Sequence, residues 1–227
     1  MLARRIVYAS PLSTDAGTLI YYGVVAPLRK TSSVLSASTF GQSAWFVLYR
    51  DSIDVYDPSL TKSYPAAPTE TEVPMSTSAT PDFLVTTGEQ TCVAYNSSYT
   101  KYGTGSLSVT RRSTQASHVG NYVLFSGGLT GLSTNRSEVD AFDSAMTRTT
   151  PASLSASRYS HCPASIGGYA LFAGGVIGNN TVTNIVDAYD TSLTRTTAAS
   201  LSTARYSFAS TTNGDYALMG GGHNYIT

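Results

Sequence analysis

Residues 158–175 read RYSHCPASIGGYALFAGG, and the chain contains this stretch in three versions. The other two are RRSTQASHVGNYVLFSGG at 111–128 and RYSFASTTNGDYALMGGG at 205–222, so successive copies begin 47 residues apart. Two related segments, EVDAFDSAMTRTTPASLSAS and IVDAYDTSLTRTTAASLSTA, lie between the copies. A unit of this length, with short apolar runs and glycine pairs, is typical of one β-propeller blade.

Each repeat is predicted to form four short strands. In the last full unit we place strand 1 at 207–211 and strand 2 at 215–219, and we place strands 3 and 4 of the preceding unit at 186–189 and 194–197. The runs YVLF, YALF and YALM are continuously apolar, as in strands that are buried on both faces, whereas VDAYD alternates. No stretch combines a 3.6-residue period with caps, so we expect no helix.

The first half of the chain carries the same repeat in a degenerate form. IDVYDPSLTK at 53–62 and CVAYNSSYTK at 92–101 match the segment VDAYDTSLTR of a strong repeat. Strong copies occupy 111–222 and degenerate copies occupy 1–110. Residues 1–227 are therefore predicted to form a single all-β propeller domain.

The two ends of the chain predict how the ring closes. The chain ends with strands 1 and 2 of a unit, and it begins with RRIVYAS at 4–10 and TLIYYGVV at 18–25. If these N-terminal strands complete the C-terminal blade, five four-stranded blades form a ring without an open edge. Six incomplete blades, or an open array completed by another chain, are the alternatives.

The repeat resembles the kelch motif. Its order of R-Y-S-x-x-x-S, a glycine turn, Y-A-L-F-x-G-G and then V-D-A-Y-D is similar to that family, in which an apolar strand ending in a glycine pair precedes an acidic–tyrosine strand. Thr196 and Thr197 stand where a kelch motif often has tryptophan. The near-identical copies also resemble kelch-type repeats in tail and virion proteins of phages of gut bacteria. The family includes adaptors, enzymes and adhesins, so the resemblance implies the fold and leaves the function open.

Composition excludes several classes of partner. Only 12% of the residues are charged, the formal net charge is zero, and no basic stripe exists, so we expect no binding to nucleic acid. No apolar run is long enough for a signal peptide or a membrane span, so we expect synthesis in the cytosol and no membrane insertion. Polarity comes from Ser, Thr, Asn and Gly together with 16 tyrosines, a composition common in virion and extracellular proteins.

The cysteines and histidines do not form a reactive pattern. Cys92 and Cys162 occupy non-equivalent places and are predicted to be small buried hydrophobes rather than a disulfide. His118, His161 and His223 are not repeat equivalents and lack the spacing of metal ligands, so we expect no metal and no cofactor. No catalytic constellation is evident, and we expect no enzymatic activity.

Charges that recur in every repeat are predicted to be structural, because a catalytic group occurs once per site. We expect each arginine to reach an aspartate or a backbone carbonyl between strands, where an unsatisfied buried group costs about 1–3 kcal/mol. A ring of ligand-binding arginines is the alternative. The recurring positions are Arg111, Arg158 and Arg205; Lys62, Lys101, Arg148 and Arg195; Asp140 and Asp187; and Asp143 and Asp190.

The parts that break the repeat are the candidate binding surface. Long loops between strands 2 and 3 occur at 129–138 and 176–185, and the tail GGGHNYIT follows the same position in the last unit. Their Asn, Tyr and Arg side chains suit hydrogen bonding to a sugar or to a flat protein surface. The candidate rim consists of Asn135, Arg136, Asn179, Asn180, His223, Asn224 and Tyr225.

These observations favour a non-enzymatic structural or binding module. The expected role is that of a phage virion protein, in a tail or head appendage, which contacts a host surface protein or glycan or neighbouring virion subunits. Assembly around a phage symmetry axis would require homo-oligomerisation. A cytoplasmic kelch-type adaptor is the alternative, and a glycan-active enzyme is a weaker one because the chain has only four glutamates.

Overall fold

The protein is all-β in the part that the structure describes. The computed structural model describes residues 34–48, 52–65, 76–131, 133–213 and 215–225. These residues contain no α-helix, and one 3₁₀ turn spans Gly178–Asn180. The predicted N-terminal strands at 4–10 and 18–25 lie outside the described residues.

Sheets 1 and 2 are four-stranded antiparallel meanders. The strands of sheet 1 are β1 (Val34–Phe40), β2 (Ser43–Leu48), β3 (Ser52–Tyr56) and β4 (Lys62–Ser63). The strands of sheet 2 are β5 (Ser76–Ala79), β6 (Leu84–Thr87), β7 (Thr91–Tyr95) and β8 (Lys101–Ser106). The degenerate copies at 53–62 and 92–101 therefore form strands 3 and 4 of two sheets, as predicted.

Sheets 3 and 4 have the same order and carry an extra hairpin each. The next strands are β9 (Gln115–Val119), β10 (Tyr122–Ser126), β11 (Leu129–Thr130), β12 (Thr134–Asn135), β13 (Val139–Phe142) and β14 (Arg148–Thr149). They are followed by β15 (Cys162–Ile166), β16 (Tyr169–Ala173), β17 (Val176–Ile177), β18 (Thr181–Val182), β19 (Val186–Asp190) and β20 (Arg195–Thr197). The pairs β11–β12 and β17–β18 are hairpins on their own, and the remaining strands form the two sheets.

Sheet 5 has two strands in the described residues, β21 (Ala209–Asn213) and β22 (Tyr216–Gly220). Strand β21 begins two residues later than the predicted 207–211. The reason is local: Tyr206 forms an isolated bridge with His223, and Ser207 has a φ of +50°, which interrupts an extended strand.

Sheets 1 to 4 pack face to face in series, and an apolar core fills each of their three interfaces. Because side chains alternate along a strand, Val85 and Ala94 of sheet 2 face Phe125 of sheet 3, whereas Leu84 and Tyr95 of sheet 2 face sheet 1. A third cluster joins sheets 3 and 4. The first strands also touch in series, β1 with β5, β5 with β9, β9 with β15, and β15 with β21.

The burial of the second strands follows the prediction in sheet 3, whereas Tyr169 of the YALF run in sheet 4 is 47% exposed. Val123, Leu124 and Phe125 in the YVLF run are fully buried, as expected. In the YALM run, by contrast, Tyr216 is 69% exposed and Leu218 is 54% exposed. Among the described residues β22 pairs only with β21, so its outer edge and its faces lack the neighbours that cover YVLF.

The turn between strands 3 and 4 is the same in sheets 1 to 4. In each turn an Asp or Asn side-chain oxygen accepts a hydrogen bond from the backbone N–H four residues later, which forms an Asx turn. The residue just before that donor lies in the left-handed region. The leading residues are Asp57, Asn96, Asp143 and Asp190, and the left-handed residues are Leu60, Tyr99, Met146 and Leu193, with φ of 60–62°.

The glycine pairs at 127–128 and 174–175, which follow strand 2, connect each repeat to the next by backbone hydrogen bonds. Gly128 and Gly175 donate backbone hydrogen bonds to the carbonyl oxygens of Arg158 and Arg205, each of which belongs to the following repeat. Gly127 has a φ of +56°, and a Cβ there would lie 2.5 Å from the Arg158 oxygen. Glycine is therefore required by a close approach of backbone to backbone.

Candidate functional site

The repeated arginines are buried structural groups in sheets 3 and 4. Arg111 Nη2 lies 2.8 Å from Asp140 Oδ2 and donates to the Phe125 carbonyl, and both ionic side chains are inaccessible to solvent. Arg158 repeats this arrangement with Asp187 at 2.8 Å. These contacts confirm the predicted structural role for the two arginines. An arginine and a carboxylate that form an ion pair in this way avoid the cost of an unpaired buried charge.

A cation on strand 4 pairs with the buried aspartate of strand 3. Arg195 Nη1 lies 2.9 Å from Asp187 Oδ1, and Lys62 Nζ lies 2.8 Å from Asp54 Oδ2. Both cations follow the strand 3–4 turn and pair across the sheet with the tyrosine of strand 3. This register places each cation within reach of the aspartate two residues before that tyrosine. Arg205 differs, because it is partly exposed and donates to backbone oxygens, with no carboxylate partner among the described residues.

Two histidines are built into the packing between sheets. His161 is buried, its Nε2 lies 2.8 Å from Ser126 Oγ, and its ring packs edge-on against Phe172. Burial, together with the nearby Arg158 charge, lowers the pKa of His161 well below 6.5. His118 Nδ1 lies 3.0 Å from Ser165 Oγ, and burial also lowers its pKa. Both imidazoles are therefore neutral near neutral pH and hold strands together.

The cysteine prediction is confirmed. Cys92 and Cys162 are buried, and neither forms a disulfide. Burial raises the pKa of the Cys162 thiol to about 11, so this thiol is protonated at neutral pH and weakly nucleophilic.

The predicted rim is carried by the two extra hairpins and the C-terminal tail. Asn135 Nδ2 donates to the Val176 carbonyl 3.2 Å away, so the hairpin of sheet 3 touches the hairpin of sheet 4. Arg136 forms an ion pair with Glu138 of its own segment. The described contacts therefore join the two hairpins through Asn135, while the Arg136 charge is already neutralised.

The remaining rim residues are exposed. Asn179 and Asn180 form the 3₁₀ turn at the tip of the sheet 4 hairpin, both with positive φ. His223 pairs with Tyr206 through the backbone and stacks on its ring at 5.4 Å, and Asn224 and Tyr225 follow it. The bridge positions Leu129, Val176 and His223 are repeat equivalents, so the tail occupies the place where the hairpins begin.

One feature was missed by sequence reasoning: a groove of about 450 Å³ between sheets 1 and 2. It lies between the end of β4 in sheet 1 and the strand 3–4 connection of sheet 2, whereas the rim lies at the strand 2–3 connections of sheets 3 and 4 and at the C-terminal tail. The groove is lined by Ser63, Tyr64, Pro65, Ser98, Tyr99, Thr100 and Lys101. The signal that could have found it is the departure of CVAYNSSYTK from the repeat.

The described residues include no helix long and apolar enough to cross a membrane. Within the same part of the chain, no group of three or more His, Cys, Asp or Glu side chains is placed to hold a metal ion. In comparisons with known proteins, no protein-family model and no curated protein matches the chain.

Proposed function

We propose that this chain is a non-enzymatic binding or structural protein built as a kelch-like β-propeller with five blades. In this proposal sheets 1 to 5 are the blades, and their first strands surround the axis. The serial contacts of β1, β5, β9, β15 and β21 support the arrangement, as do the three cores that join sheets 1 to 4. The 47-residue repeat and its kelch-like order support it independently.

We propose that the N-terminal strands at 4–10 and 18–25 complete the fifth blade. The supporting observation is the outer edge of β22, where Tyr216 and Leu218 are exposed and a further strand would cover both. Residues 4–10 contain no Asp or Glu, so this strand would bring no carboxylate to Arg205. Backbone pairing and apolar contact would hold the joint.

We propose that the protein works in a phage virion, in a tail or head appendage that contacts the host surface or neighbouring subunits. The observation that carries this proposal is the contrast between repeated and non-repeated parts. The repeated arginines Arg111 and Arg158 are paired with aspartates inside sheets 3 and 4, whereas the hairpins of these sheets present exposed Asn and Thr side chains. Such an uncharged polar surface suits a protein or glycan partner.

Mass spectrometry of purified phage particles from the source culture tests this proposal. We expect the chain at a copy number that is a fixed multiple of the tail or capsid symmetry. Finding it in host cytosol and absent from particles would overturn the virion role and favour the cytoplasmic adaptor. Turnover of plain glycans by the purified protein would instead overturn the non-enzymatic assignment.

A further inference from the structure

Sheets 1, 3 and 4 surround the cation of strand 4 with two acidic residues. One is the buried aspartate of strand 3, and the other is the aspartate that leads the strand 3–4 turn. The buried aspartate pairs directly with the cation in each case. The sets are Asp54, Asp57 and Lys62; Asp140, Asp143 and Arg148; and Asp187, Asp190 and Arg195.

Sheet 2 keeps the cation and loses both acids. Val93 stands at the buried aspartate position and is 1% exposed in the core against sheet 1. Asn96 leads the turn and makes the same hydrogen bonds as the aspartates without their charge. Lys101 occupies the register position of Lys62, opposite Tyr95, and no carboxylate of the described residues lies within ion-pair distance of it.

Lys101 lines the groove between sheets 1 and 2. Tyr64 and Pro65 at the end of β4 form one side, and residues 98–101 form the other. The Tyr64 ring is 49% exposed, and the Lys62 ammonium lies 4.9 Å from its centroid. The volume of about 450 Å³ is that of a small-molecule site.

Tyr99 forms a rigid wall of this groove. It stands at the left-handed turn position, φ +62°, where the other sheets have leucine or methionine. Its ring packs edge-on against Trp45 at 5.4 Å, and its hydroxyl is hydrogen-bonded to the hydroxyl of Ser43. A wall fixed before binding loses little conformational entropy when a ligand arrives.

We propose that this groove binds an anionic saccharide. Tyrosine rings offer an apolar face to the C–H face of a sugar, the hydroxyls of Ser63, Ser98 and Thr100 offer donors and acceptors to sugar hydroxyls, and Lys101 offers the charge. A sugar carboxylate and a sugar phosphate share this chemistry. The inference rests on the proposed surface-binding role, and it places the ligand on a different part of the molecule from the rim.

The test is calorimetric titration of the purified full chain with matched pairs of charged and neutral ligands at low ionic strength. The pairs are trigalacturonic acid and its methyl ester, sialyllactose and lactose, and glucose 1-phosphate and glucose. We expect a Kd of about 1 mM or tighter for at least one anionic member and at least tenfold weaker binding of its neutral partner. The first two pairs report a carboxylate source, and the third reports a phosphate source.

Three variants locate the binding. We expect Lys101→Met to weaken it about tenfold and Tyr64→Leu to weaken it by a similar factor. Asn96→Asp restores the charge found in the other turns and is expected to weaken binding about two- to threefold without removing a lining residue. Tyr102→Leu is the matched control, because Tyr102 is the next residue on β8, is exposed and does not line the groove.

Equal affinity for charged and neutral ligands, no binding in any pair, or binding unchanged by Lys101→Met and Tyr64→Leu would each overturn the inference. Circular dichroism of each variant establishes that it is folded. The test is independent of the virion proposal. A chain found in particles that binds no anionic sugar would refute the groove alone, and a chain absent from particles that binds one would refute the location alone.

Discussion

At the scale of single residues, several charges that recur in the repeat form buried ion pairs between strands. Asp187 is inaccessible to solvent, yet it accepts hydrogen bonds from Arg158, Arg195 and the backbone of Ser155. A buried ion pair of this kind adds little net stability over apolar packing, but removing one partner leaves an uncompensated charge. Losing either partner alone is therefore costly. In sheet 2, where Val93 replaces the aspartate, the sequence has no Arg or Lys between residues 63 and 100, although the strand 4 cation Lys101 is kept.

Replacing one partner of the Arg158–Asp187 pair is expected to cost more than replacing both. We predict that Arg158→Met lowers the free energy of unfolding by about 3–5 kcal/mol, and that adding Asp187→Val recovers part of that loss. Urea unfolding measures both. Arg205→Met is the control, with an expected effect below about 1 kcal/mol because Arg205 is partly exposed. A double variant as unstable as the sum of its singles would contradict the interpretation.

His161 makes stability depend on pH. Its pKa is lowered in the folded protein by burial and by Arg158, so the unfolded chain binds a proton more readily below pH 6.5. Stability from this group is therefore fully present above 6.5 and is lost as the pH falls below that value. We predict that His161→Phe, which copies Phe208 of the next repeat, flattens the decline in urea midpoint between about pH 7 and 5.

His118 remains in this variant, and its lowered pKa contributes a loss of the same sign. The difference between wild type and variant therefore isolates His161. Identical pH slopes for the two proteins would show that His161 is not buried as a neutral imidazole.

At the scale of elements, the joints between repeats are made by the backbone. The glycine pairs at 127–128 and 174–175 contact the segment that opens their own repeat and the arginine carbonyl of the next. A Cβ on Gly174 would overlap the Arg205 carbonyl oxygen, and a Cβ on Gly222 would lie 2.6 Å from the Tyr206 oxygen. Only glycine therefore fits at these two positions, because a Cβ would overlap the neighbouring backbone.

Three glycines of sheet 4 allow the free-energy cost of a positive φ to be measured separately from the cost of a steric clash. Gly174 has positive φ and no room, Gly167 has positive φ and open space, and Gly168 has open space without positive φ. We predict losses in unfolding free energy of more than about 2 kcal/mol for Gly174→Ala, about 1 kcal/mol for Gly167→Ala and below about 0.5 kcal/mol for Gly168→Ala. Chemical denaturation measures all three losses. Equal losses for Gly174→Ala and Gly167→Ala would show that the close backbone contact at Gly174 adds no cost.

Sequence periodicity predicted strand existence well and strand ends less well. The apolar run at Val123–Phe125 and the acidic strand at Val186 could be read directly, because side-chain alternation and burial leave a period in the letters. The start of β21 could not, because it depends on the φ of Ser207. The groove was not predicted either, because Lys101 occupies the same repeat position as the other cations. The structure shows that Val93 stands where the carboxylate partner of Lys101 would be.

At the scale of the whole molecule, sheet 5 decides whether the proposed propeller is closed. Its strand β22 has one partner among the described residues, whereas the equivalent strand β16 is hydrogen-bonded on both sides. Exposed edges recruit other strands, and proteins protect them. The proposed N-terminal strands and a partner chain are the two ways to cover this edge.

Hydrogen exchange of the full chain distinguishes the two. We predict that amides of β22 exchange as slowly as those of β16, as the proposed pairing of the N-terminal strands with its outer edge in the monomer would require. Mass spectrometry of peptic fragments at low protein concentration measures this, with β16 as the internal reference. Rapid exchange at β22 in the monomer would favour an open array completed by another chain.

The backbone joints have a consequence for how such a chain diversifies. Both halves of each joint, a glycine pair and an arginine carbonyl, are contained in every 47-residue copy. A copied unit therefore arrives with both halves of this backbone contact already in its sequence. Hairpins such as 176–185 can then vary in sequence and length from one copy to the next, so recognition evolves on a scaffold whose assembly rules stay constant.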